Sequence, residues 1–420
     1  MEDKGLNRRQ LLKYGVQGAA ATALGSLLPS GTIKAQTQNR SNAKSGKLVV
    51  IGAGAFGGWT ALHLLRKGYD VTLVDQFGPG NNQASSGGET RLIRALYGEK
   101  QHYFDMVLRS LELWKENEAK MGKKILYQNG LMALYKNGND PGLKASLPMY
   151  KKAGIDVEML TPSEAGKRWT GVKTDDLEEV FFDPTAGFLK ARQGCEAVRD
   201  LFVKEGGKFV QQQVKKENIK GGKATSILLA DNTTIEADGF VFACGPWLVR
   251  LFPELTKKLI VTRQAAFFIA SPAGASDLME NTLPTWFNRD KEFGAYGMPG
   301  CEYRGFKVAW DIRNDIITDK FDTYQRYVTL DEMDHAKKIV ASRFPKLTGR
   351  PILEQRVCQY TETPDREFIL DKHPGVDNLW VMGGGSGHGY KHGASFGEMA
   401  ANTVNGDLAV NPIFALGRLL

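Results

Sequence analysis

A strand–turn–helix pattern near the start of the chain places the tightest constraint on the fold. Four apolar residues, Leu48–Ile51, predict a short buried strand, and Gly52, Gly54 and Gly57 follow at G-x-G-x-x-G spacing. Gly52 permits a tight strand-to-helix turn, Gly54 leaves the backbone open to a pyrophosphate, and Gly57 allows the helix to pack closely on the strand. The unpaired N–H groups and the positive dipole at the start of this helix would hold the phosphates.

The segment after the predicted helix completes a dinucleotide-binding unit. Val71–Val74 predicts a second strand, and Asp75 ends it 23 positions after Gly52, about where a carboxylate binds a ribose hydroxyl. This carboxylate favours a free ribose, and therefore FAD or NAD over NADP. The motif does not decide between FAD and NAD, and a packing turn without a ligand is the alternative interpretation.

Length and charge limit the class of protein. A chain of 420 residues exceeds one typical hydrophobic core, so two domains are expected. The first 46 residues contribute +5 of the net charge of +8, so the basic composition gives little support to nucleic-acid binding. No later segment has the roughly 18–20 continuous apolar residues of a membrane span.

The N-terminus resembles a twin-arginine export signal. Arg8 and Arg9 precede a mild apolar run from Tyr14 to Leu28, which is too short and weak for a stable membrane anchor. We predict a signal over residues 1–35, a polar linker over residues 36–46, and a periplasmic or extracellular location reached through the twin-arginine translocation machinery. An amphipathic N-terminal helix of the folded domain is the alternative.

The four cysteines give no indication of a metal site. Cys195, Cys244, Cys301 and Cys358 show no C-x-x-C spacing, and no histidine lies at ligand spacing from any of them. We therefore predict no metal. An exported protein can form disulfides, but the spacing assigns none.

Residues 83–95 predict a helix with two arginines on one face. Arg91 and Arg94 lie three positions apart, and Ser85 and Ser86 are candidate caps. Two cations near a helix start oppose its dipole, which favours a bound anion or a buried acid nearby. Solvated surface arginines are the alternative.

Later segments predict the rest of the architecture. Phe240–Cys244 predicts a parallel strand of the nucleotide-binding sheet. Phe209–Gln213 predicts the first strand of a meander, and Gly187 predicts the start of a helix. Leu379–Met382 predicts a strand that runs into a glycine-rich segment, residues 383–389. This segment predicts a second turn that holds a ligand with backbone N–H groups, and a flexible glycine loop is the alternative.

Four segments together resemble the sarcosine oxidase family of flavoenzymes. This family includes monomeric sarcosine oxidase, N-methyltryptophan oxidase and pipecolate oxidase, and belongs to the D-amino-acid-oxidase-like superfamily. The segments are GAGAFG at 52–57, ETRLIRALYGE at 89–99, CQYTETPDREFILDKHP at 358–374 and GGSGHGYK at 384–391. The last three are the more diagnostic and favour FAD over NAD. The resemblance covers nearly all of residues 47–415.

The resemblance implies an α/β fold with two discontinuous domains. A Rossmann-like FAD-binding domain would comprise residues 47–135, 186–255 and 351–415. A substrate domain with a mixed sheet would comprise residues 136–185 and 256–350. The flavin would lie between them, and we expect a monomer.

The resemblance also implies a set of FAD-binding residues. Cys358 matches the cysteine that carries FAD covalently through the flavin 8α-methyl group, with an ordinary buried cysteine as the alternative. Arg91 matches an arginine beside the flavin. The other implied contacts lie in the two glycine turns and in the segment after Asp75: Gly52, Gly54, Ala55, Phe56, Gly57, Asp75, Ser85, Thr90, Gly385, Gly387, His388, Gly389 and Lys391.

Five further assignments concern substrate and dioxygen. Arg94 and Lys391 match two cations that hold a substrate carboxylate, which arginine binds in a bidentate manner. Lys307 matches a lysine near flavin N5 that promotes reaction with dioxygen. Tyr296 and Tyr360 match pocket tyrosines that would orient the substrate amine. The alternatives are a solvated lysine and ordinary core tyrosines.

Two positions depart from the family pattern. Asp311 stands where sarcosine oxidase has a pocket histidine, and Gly87 stands where it has a histidine over the flavin. A substrate other than sarcosine is therefore expected. A free carboxylate at Asp311 would favour a substrate with a basic tail, whereas pairing with Arg313 or Arg304 would remove that preference.

We predict an FAD-dependent amine oxidase. It would oxidise the C–N bond of a secondary or N-substituted α-amino acid to an imine, and dioxygen would reoxidise the flavin with release of hydrogen peroxide. The first alternative is a periplasmic amino acid dehydrogenase that passes electrons to a quinone or a carrier protein. The second is a non-catalytic flavin-binding protein.

Overall fold

The computed structural model describes residues 46–253 and 258–419, so the predicted export signal and nearly all of the predicted linker lie outside the described residues. The strands of this part are β1 (Lys47–Ile51), β2 (Asp70–Asp75), β3 (Thr90–Ile93), β4 (Leu126–Tyr127), β5 (Leu131–Tyr135), β6 (Glu158–Leu160), β7 (Glu179–Asp183), β8 (Gly187–Lys190), β9 (Lys208–Gln211), β10 (Val214–Lys220), β11 (Lys223–Leu229), β12 (Thr234–Glu236), β13 (Gly239–Phe242), β14 (Ile260–Ile269), β15 (Thr285–Arg289), β16 (Ala295–Met298), β17 (Phe306–Ala309), β18 (Ile352–Glu362), β19 (Ile369–Lys372) and β20 (Leu379–Gly383).

The helices of the described residues are α1 (Ala55–Arg66), α2 (Gln101–Met121), α3 (Pro141–Lys152), α4 (Pro162–Arg168), α5 (Ala191–Lys204), α6 (Leu248–Leu251), α7 (Leu330–Arg343) and α8 (Gly393–Asn405). None of the helices within this part of the chain is long and apolar enough to cross a membrane.

A six-stranded sheet carries both glycine turns. Its order is β19–β20–β13–β1–β2–β9, with β19 antiparallel at one edge and the other neighbours parallel. The predicted parallel strand at Phe240–Cys244 is confirmed as β13. The predicted meander is wrong at its first strand, because β9 pairs in parallel with β2 and the three-stranded sheet consists of β10, β11 and β12. The carboxyl ends of β1 and β20 lead into the two glycine segments.

Close packing of α1 against α8 brings the two glycine segments together. A Cβ atom at Gly397 would lie 2.5 Å from the Trp59 Cβ, and one at Gly393 would lie 2.8 Å from the Ala55 carbonyl oxygen. A Cβ at Gly57 would lie only 1.9 Å from the Gly52 carbonyl oxygen, so α1 packs onto its own turn without a side chain. These contacts confirm the predicted packing role of Gly57.

A mixed eight-stranded sheet forms the second layer. Its order is β18–β14–β17–β16–β15–β5–β7–β6, with a parallel pair at β15 and β5 and antiparallel pairs elsewhere. Helix α7 packs on it above a second apolar core. This sheet also includes β5 and β18, although both lie in ranges assigned above to the FAD-binding domain. The domain boundaries otherwise stay a prediction.

The predicted helix over residues 83–95 is wrong. Thr90–Ile93 forms β3, which pairs antiparallel with β8, so Arg91 lies on an extended strand and Arg94 follows directly after it. Gly187 begins β8 rather than a helix, and a Cβ atom there would lie 1.9 Å from the Tyr127 carbonyl oxygen. Long-range pairing therefore decides the structure of both segments.

Ser86 caps α1 instead, since its hydroxyl accepts a hydrogen bond from the Ala55 N–H at 3.0 Å.

The contact between α1 and α8 predicts a stability effect. Gly397→Ala places a methyl group against the Trp59 backbone, so we expect the free energy of unfolding to fall by about 1–3 kcal/mol. Denaturant unfolding measures this change. Gly417→Ala is the matched control, because no atom lies within 4 Å of its Cβ position. Equal stability of the two variants would contradict the packing argument.

Candidate active site

One cavity of about 1350 Å³ lies between the glycine segments and the eight-stranded sheet. Most of the predicted site residues line it: Gly52, Gly54, Ala55, Phe56, Asp75, Ser85, Arg91, Arg94, Tyr296, Asp311, Tyr360, Gly385, Gly387, His388, Gly389 and Lys391. The other four, Gly57, Thr90, Lys307 and Cys358, do not line it. The sequence therefore identified side chains that the fold brings to one place.

Asp75 organises the nucleotide end of the cavity. One carboxylate oxygen accepts a hydrogen bond from the Ala53 N–H at 2.8 Å, and the other accepts from the Phe77 and Gly78 N–H groups at 2.9 and 2.8 Å. Burial raises the pKa of Asp75, and the three N–H donors oppose this effect. A carboxylate has about four acceptor positions, so one stays available for a ribose hydroxyl.

The glycine turn and its surroundings fit a dinucleotide. Gly52 has φ +103°, and a Cβ atom there would lie 2.4 Å from the Ala243 carbonyl oxygen, so only glycine fits. The first turn of α1 contains no acidic residue that would repel a phosphate. Two cavity-lining side chains, Gln83 and Ser85, have buried polar oxygens with no partner among the described residues. These oxygens are available to a bound polar group.

Arg91 fixes the conformation of the loop at residues 85–90. Its guanidinium donates to the main-chain oxygens of Gly87, Ser85 and Thr90 at 2.6, 3.2 and 3.1 Å, and lies 3.7 Å from the Cys358 Sγ. The alternative of a solvated surface arginine is therefore wrong. A Cβ atom at Gly87 would lie 2.4 Å from a main-chain oxygen, so no histidine fits this loop without a backbone shift.

Lys307 is a buried lysine on β17. It is only 2 % exposed, and its Nζ donates to the Thr90 carbonyl oxygen at 2.7 Å. Burial and the nearby Arg91 lower the pKa of Lys307 to about 7. The alternative of a solvated strand lysine is therefore wrong. Its amine is bonded to β3, the strand that carries Arg91, and Lys307 does not itself line the main cavity.

Two tyrosines and a carboxylate form the wall from the eight-stranded sheet. The hydroxyl groups of Tyr296 and Tyr360 lie 3.0 Å apart, and the Tyr360 hydroxyl donates to Asp311 at 3.4 Å. Burial raises the pKa of Tyr296 to about 12, so it stays a neutral donor. Asp311 pairs with Arg313 at 2.9 Å, and Arg313 also bonds to Glu362. This pairing removes the free carboxylate on which a preference for basic substrates depended.

Arg94 and Lys391 are two cations without an acidic partner among the described residues. Lys391 is 6 % exposed, and its Nζ donates to the Tyr97 hydroxyl at 3.2 Å and to the His388 carbonyl oxygen at 3.1 Å. Arg94 donates to the Leu96 carbonyl oxygen and lies 5.0 Å from the centre of the Tyr97 ring. Buried charge requires compensation, so this end of the cavity fits an anionic ligand group.

Burial and the charge of Arg94 hold the pKa of Lys391 well below its usual range. Burial of His388, and after it the charge of Lys391, lowers the pKa of His388 to about 3. His388 is therefore neutral near pH 7, and burial disfavours the charged form of Lys391 in the protein without substrate. His388 lies in the second glycine segment. Its ring contacts the Tyr97 hydroxyl, so the ring as well as the backbone of this residue contributes to the site.

Sequence reasoning missed Tyr97 and His392. The Tyr97 hydroxyl lies 2.7 Å from His392 Nε2, and Tyr97 contacts both cations. Tyr97 lies in ETRLIRALYGE, three positions after Arg94, and His392 directly follows Lys391. An aromatic residue in such a segment has no feature that separates it from a core residue, so only the folded contacts identify them.

The comparisons with known proteins agree with this site. A family model described as FAD dependent oxidoreductase (DAO) matches residues 47–403. The chain belongs to this family. It is 28% identical to monomeric sarcosine oxidase of Arthrobacter sp., with 84% of this chain and 90% of that protein covered. It is 29% identical to peroxisomal sarcosine oxidase of Mus musculus, with 82% and 88% covered, and 26% identical to N-methyl-L-tryptophan oxidase of Citrobacter koseri, with 86% and 94% covered.

Solved structures confirm the fold. L-proline dehydrogenase from P. horikoshii superposes with a TM-score of 0.77 at 19% identity, with 88% of this chain and 96% of that chain covered. Amadoriase I from Aspergillus fumigatus superposes with a TM-score of 0.73 at 20% identity, with 88% and 89% covered. The predicted FAD dependence, the α/β fold and the likeness to sarcosine oxidase are thus confirmed. The roles of single residues stay predictions.

The depressed pKa of Lys391 predicts proton uptake on anion binding. A carboxylate beside Lys391 favours the ammonium form, so the pKa in the complex exceeds that in the free protein. Between these two values, binding takes up a proton and the affinity falls as pH rises. The charges of Arg94, Asp311 and Arg91 also act on this amine.

Calorimetric titration of the flavin-loaded protein with acetate, near pH 8 in two buffers of different ionisation enthalpy, measures this uptake. We expect net proton uptake on acetate binding within the range from pH 6 to 9. Lys391→Met is the control and should show neither uptake nor this pH dependence. Acetate binding without proton uptake from pH 6 to 9 would contradict the prediction.

Proposed function

We propose that the protein is an FAD-dependent amine oxidase acting on the CH–NH bond of a secondary or N-substituted α-amino acid. The observation that carries this proposal is the pair formed by the half-buried Arg94 and the buried Lys391, with no acidic partner among the described residues and with the tyrosine pair in the same cavity. The similarity to sarcosine oxidase and N-methyl-L-tryptophan oxidase supports an N-substituted amino acid.

The chain's own residues bind and orient this substrate. Arg94 would bind the substrate carboxylate with two parallel hydrogen bonds, and Lys391 would donate a third. The hydroxyl groups of Tyr296 and Tyr360 would orient the amine as its free base. The glycine turns and Asp75 would hold FAD, which would supply the acceptor for the hydride equivalent. Water then hydrolyses the released imine.

Lys307 would stabilise the reaction with dioxygen. A fixed cation lowers the energy of negative charge that develops on dioxygen, and hydrogen peroxide is the product of complete reduction. The burial of Lys307 and its hydrogen bond to Thr90 hold the amine in one place. Its pKa of about 7 makes this role dependent on pH.

Two further parts of the proposal concern attachment and location. We infer that Cys358 carries the flavin covalently, which is supported by its position on β18, 3.7 Å from the Arg91 guanidinium at the loop that lines the cavity. We also infer export by the twin-arginine route to the periplasm or the exterior, supported by Arg8, Arg9 and the apolar run after them. That route is consistent with export of a protein folded around its cofactor.

The oxidase assignment predicts hydrogen peroxide and a role for Lys307. N-substituted amino acids should reduce the flavin anaerobically and yield one peroxide per substrate in air. In Lys307→Met we expect unchanged anaerobic reduction and a roughly 100-fold slower reaction with dioxygen. Because the lysine is protonated below about pH 7, the wild-type oxygen reaction should slow as pH rises past that value.

Stopped-flow absorbance measures the two half-reactions, and a peroxide assay measures the product. Lys190→Met is the control, since it removes another partly buried lysine whose partner is Glu302. Anaerobic reduction with almost no peroxide in air, but rapid transfer to a quinone, would show the dehydrogenase alternative. No reduction by any amine would show that the protein only binds the flavin.

Covalent attachment predicts that the flavin stays with the protein after acid precipitation. The wild-type pellet should retain the flavin, and Cys358→Ser should release it into the supernatant. Absorption spectra of both fractions measure this. Cys195→Ser is the matched control, because Cys195 is buried and does not itself line the cavity. Flavin in the wild-type supernatant would refute attachment at Cys358 and leave FAD binding intact.

A further inference from the structure

The Tyr97 hydroxyl contacts three hydrogen-bonding groups. It lies 2.7 Å from His392 Nε2, 3.1 Å from His388 Nδ1 and 3.2 Å from Lys391 Nζ. A tyrosine hydroxyl has one proton to donate and two lone pairs to accept. The three contacts therefore use all its capacity only if one neighbour accepts and two neighbours donate.

The contact of His388 with Arg366 decides which neighbour accepts. His388 Nε2 lies 3.2 Å from the Arg366 carbonyl oxygen, which can only accept, so Nε2 carries the proton. Burial keeps His388 neutral, since its pKa is lowered to about 3. Its Nδ1 is then an acceptor, and the single Tyr97 proton points to it.

His392 must then donate to Tyr97 through its Nε2. Burial and the nearby Lys391 hold the pKa of His392 well below its usual range, so it carries one proton only. That proton on Nε2 leaves Nδ1 as a bare lone pair, and Nδ1 has no partner among the described residues. An unpartnered buried acceptor costs less than an unpartnered N–H donor, so the assignment is consistent at both nitrogens.

The remaining Tyr97 lone pair accepts from Lys391. A second Lys391 N–H goes to the His388 carbonyl oxygen at 3.1 Å, so two of its hydrogen-bonding positions have fixed partners on the protein. The third position of this 6 % exposed side chain is left for a group in the cavity. The Tyr97 ring also lies 5.0 Å from the Arg94 guanidinium carbon, so one residue contacts both cations.

We propose that Tyr97 is a positioning residue for anion binding: with His388 and His392 both in their neutral Nε2–H forms, it fixes Lys391 so that one hydrogen-bonding position faces the substrate carboxylate. This inference rests on the proposed function, because it takes the anion to be the carboxylate of an amino acid. It adds to that function three residues that hold Lys391 in place, Tyr97, His388 and His392. It also adds an aromatic ring, that of Tyr97, which contacts Arg94.

Tyr97→Phe tests the proposal because it removes the hydroxyl and keeps the ring near Arg94. We expect acetate to bind the flavin-loaded variant roughly tenfold more weakly, since a charge-assisted hydrogen bond loses its support. Tyr103→Phe is the matched control. Its ring centre lies 5.1 Å from that of Tyr97, and its hydroxyl accepts from the Phe368 N–H rather than contacting Lys391.

A double-mutant cycle shows whether Tyr97 acts through the lysine. In the Lys391→Met background, Tyr97→Phe should not weaken acetate binding further. If Lys391→Met and Arg94→Lys leave acetate binding unchanged, the proposed carboxylate site fails. If both weaken it but Tyr97→Phe does not, only the present inference fails.

Nitrogen NMR provides a readout that does not involve substrate. The chain has six histidines, so ¹⁵N-histidine labelling with one variant for each ring assigns the signals of His388 and His392. We expect both rings as Nε2–H forms near pH 7. A Nδ1–H form, or a charged ring, at either position would overturn the proposal even if Tyr97→Phe weakened acetate binding.

Discussion

The site depends on burying positive charge without burying an equal number of acids. Arg91, Arg94, Lys307 and Lys391 lie around one cavity, and each donates to main-chain carbonyl oxygens. Carbonyl oxygens satisfy N–H donors but contribute no negative charge, so the cavity keeps a positive potential. A charge removed from water is costly unless it is paired, which means that an anionic cofactor and an anionic substrate would complete this structure.

The scaffold makes this arrangement possible by bringing distant segments close together. Glycines at the contact of α1 with α8 place the second glycine segment beside the first, since no side chain would fit between Gly397 and Trp59. A similar contact exists at Gly387, where a Cβ atom would lie 2.7 Å from the Tyr360 ring. The turn at the start of α1, the second glycine segment and the Tyr360 ring therefore pack against one another where glycine leaves room.

Sequence reasoning succeeded where the local pattern fixes the structure. Leu48–Ile51 and the following glycines combine a buried strand with a turn that only glycine adopts, so the local sequence is sufficient. It failed at Thr90–Ile93, where pairing with Gly187–Lys190 overrides the helical spacing of the two arginines. It also missed Tyr97, because its partner Lys391 lies 294 positions away and no local feature of the segment reveals that contact.

The two cations of the site differ in how they respond to an anion. A guanidinium keeps its charge at every physiological pH, so Arg94 attracts a carboxylate whether or not the site is filled. Burial and Arg94 itself hold the pKa of Lys391 well below its usual range, and an anion beside Lys391 favours its charged form. The empty cavity thus has less repulsion between these two side chains than two arginines would give, and the filled cavity gains a charged hydrogen bond donor. An arginine at both positions would impose that repulsion permanently, which gives a physical reason for one arginine and one lysine here.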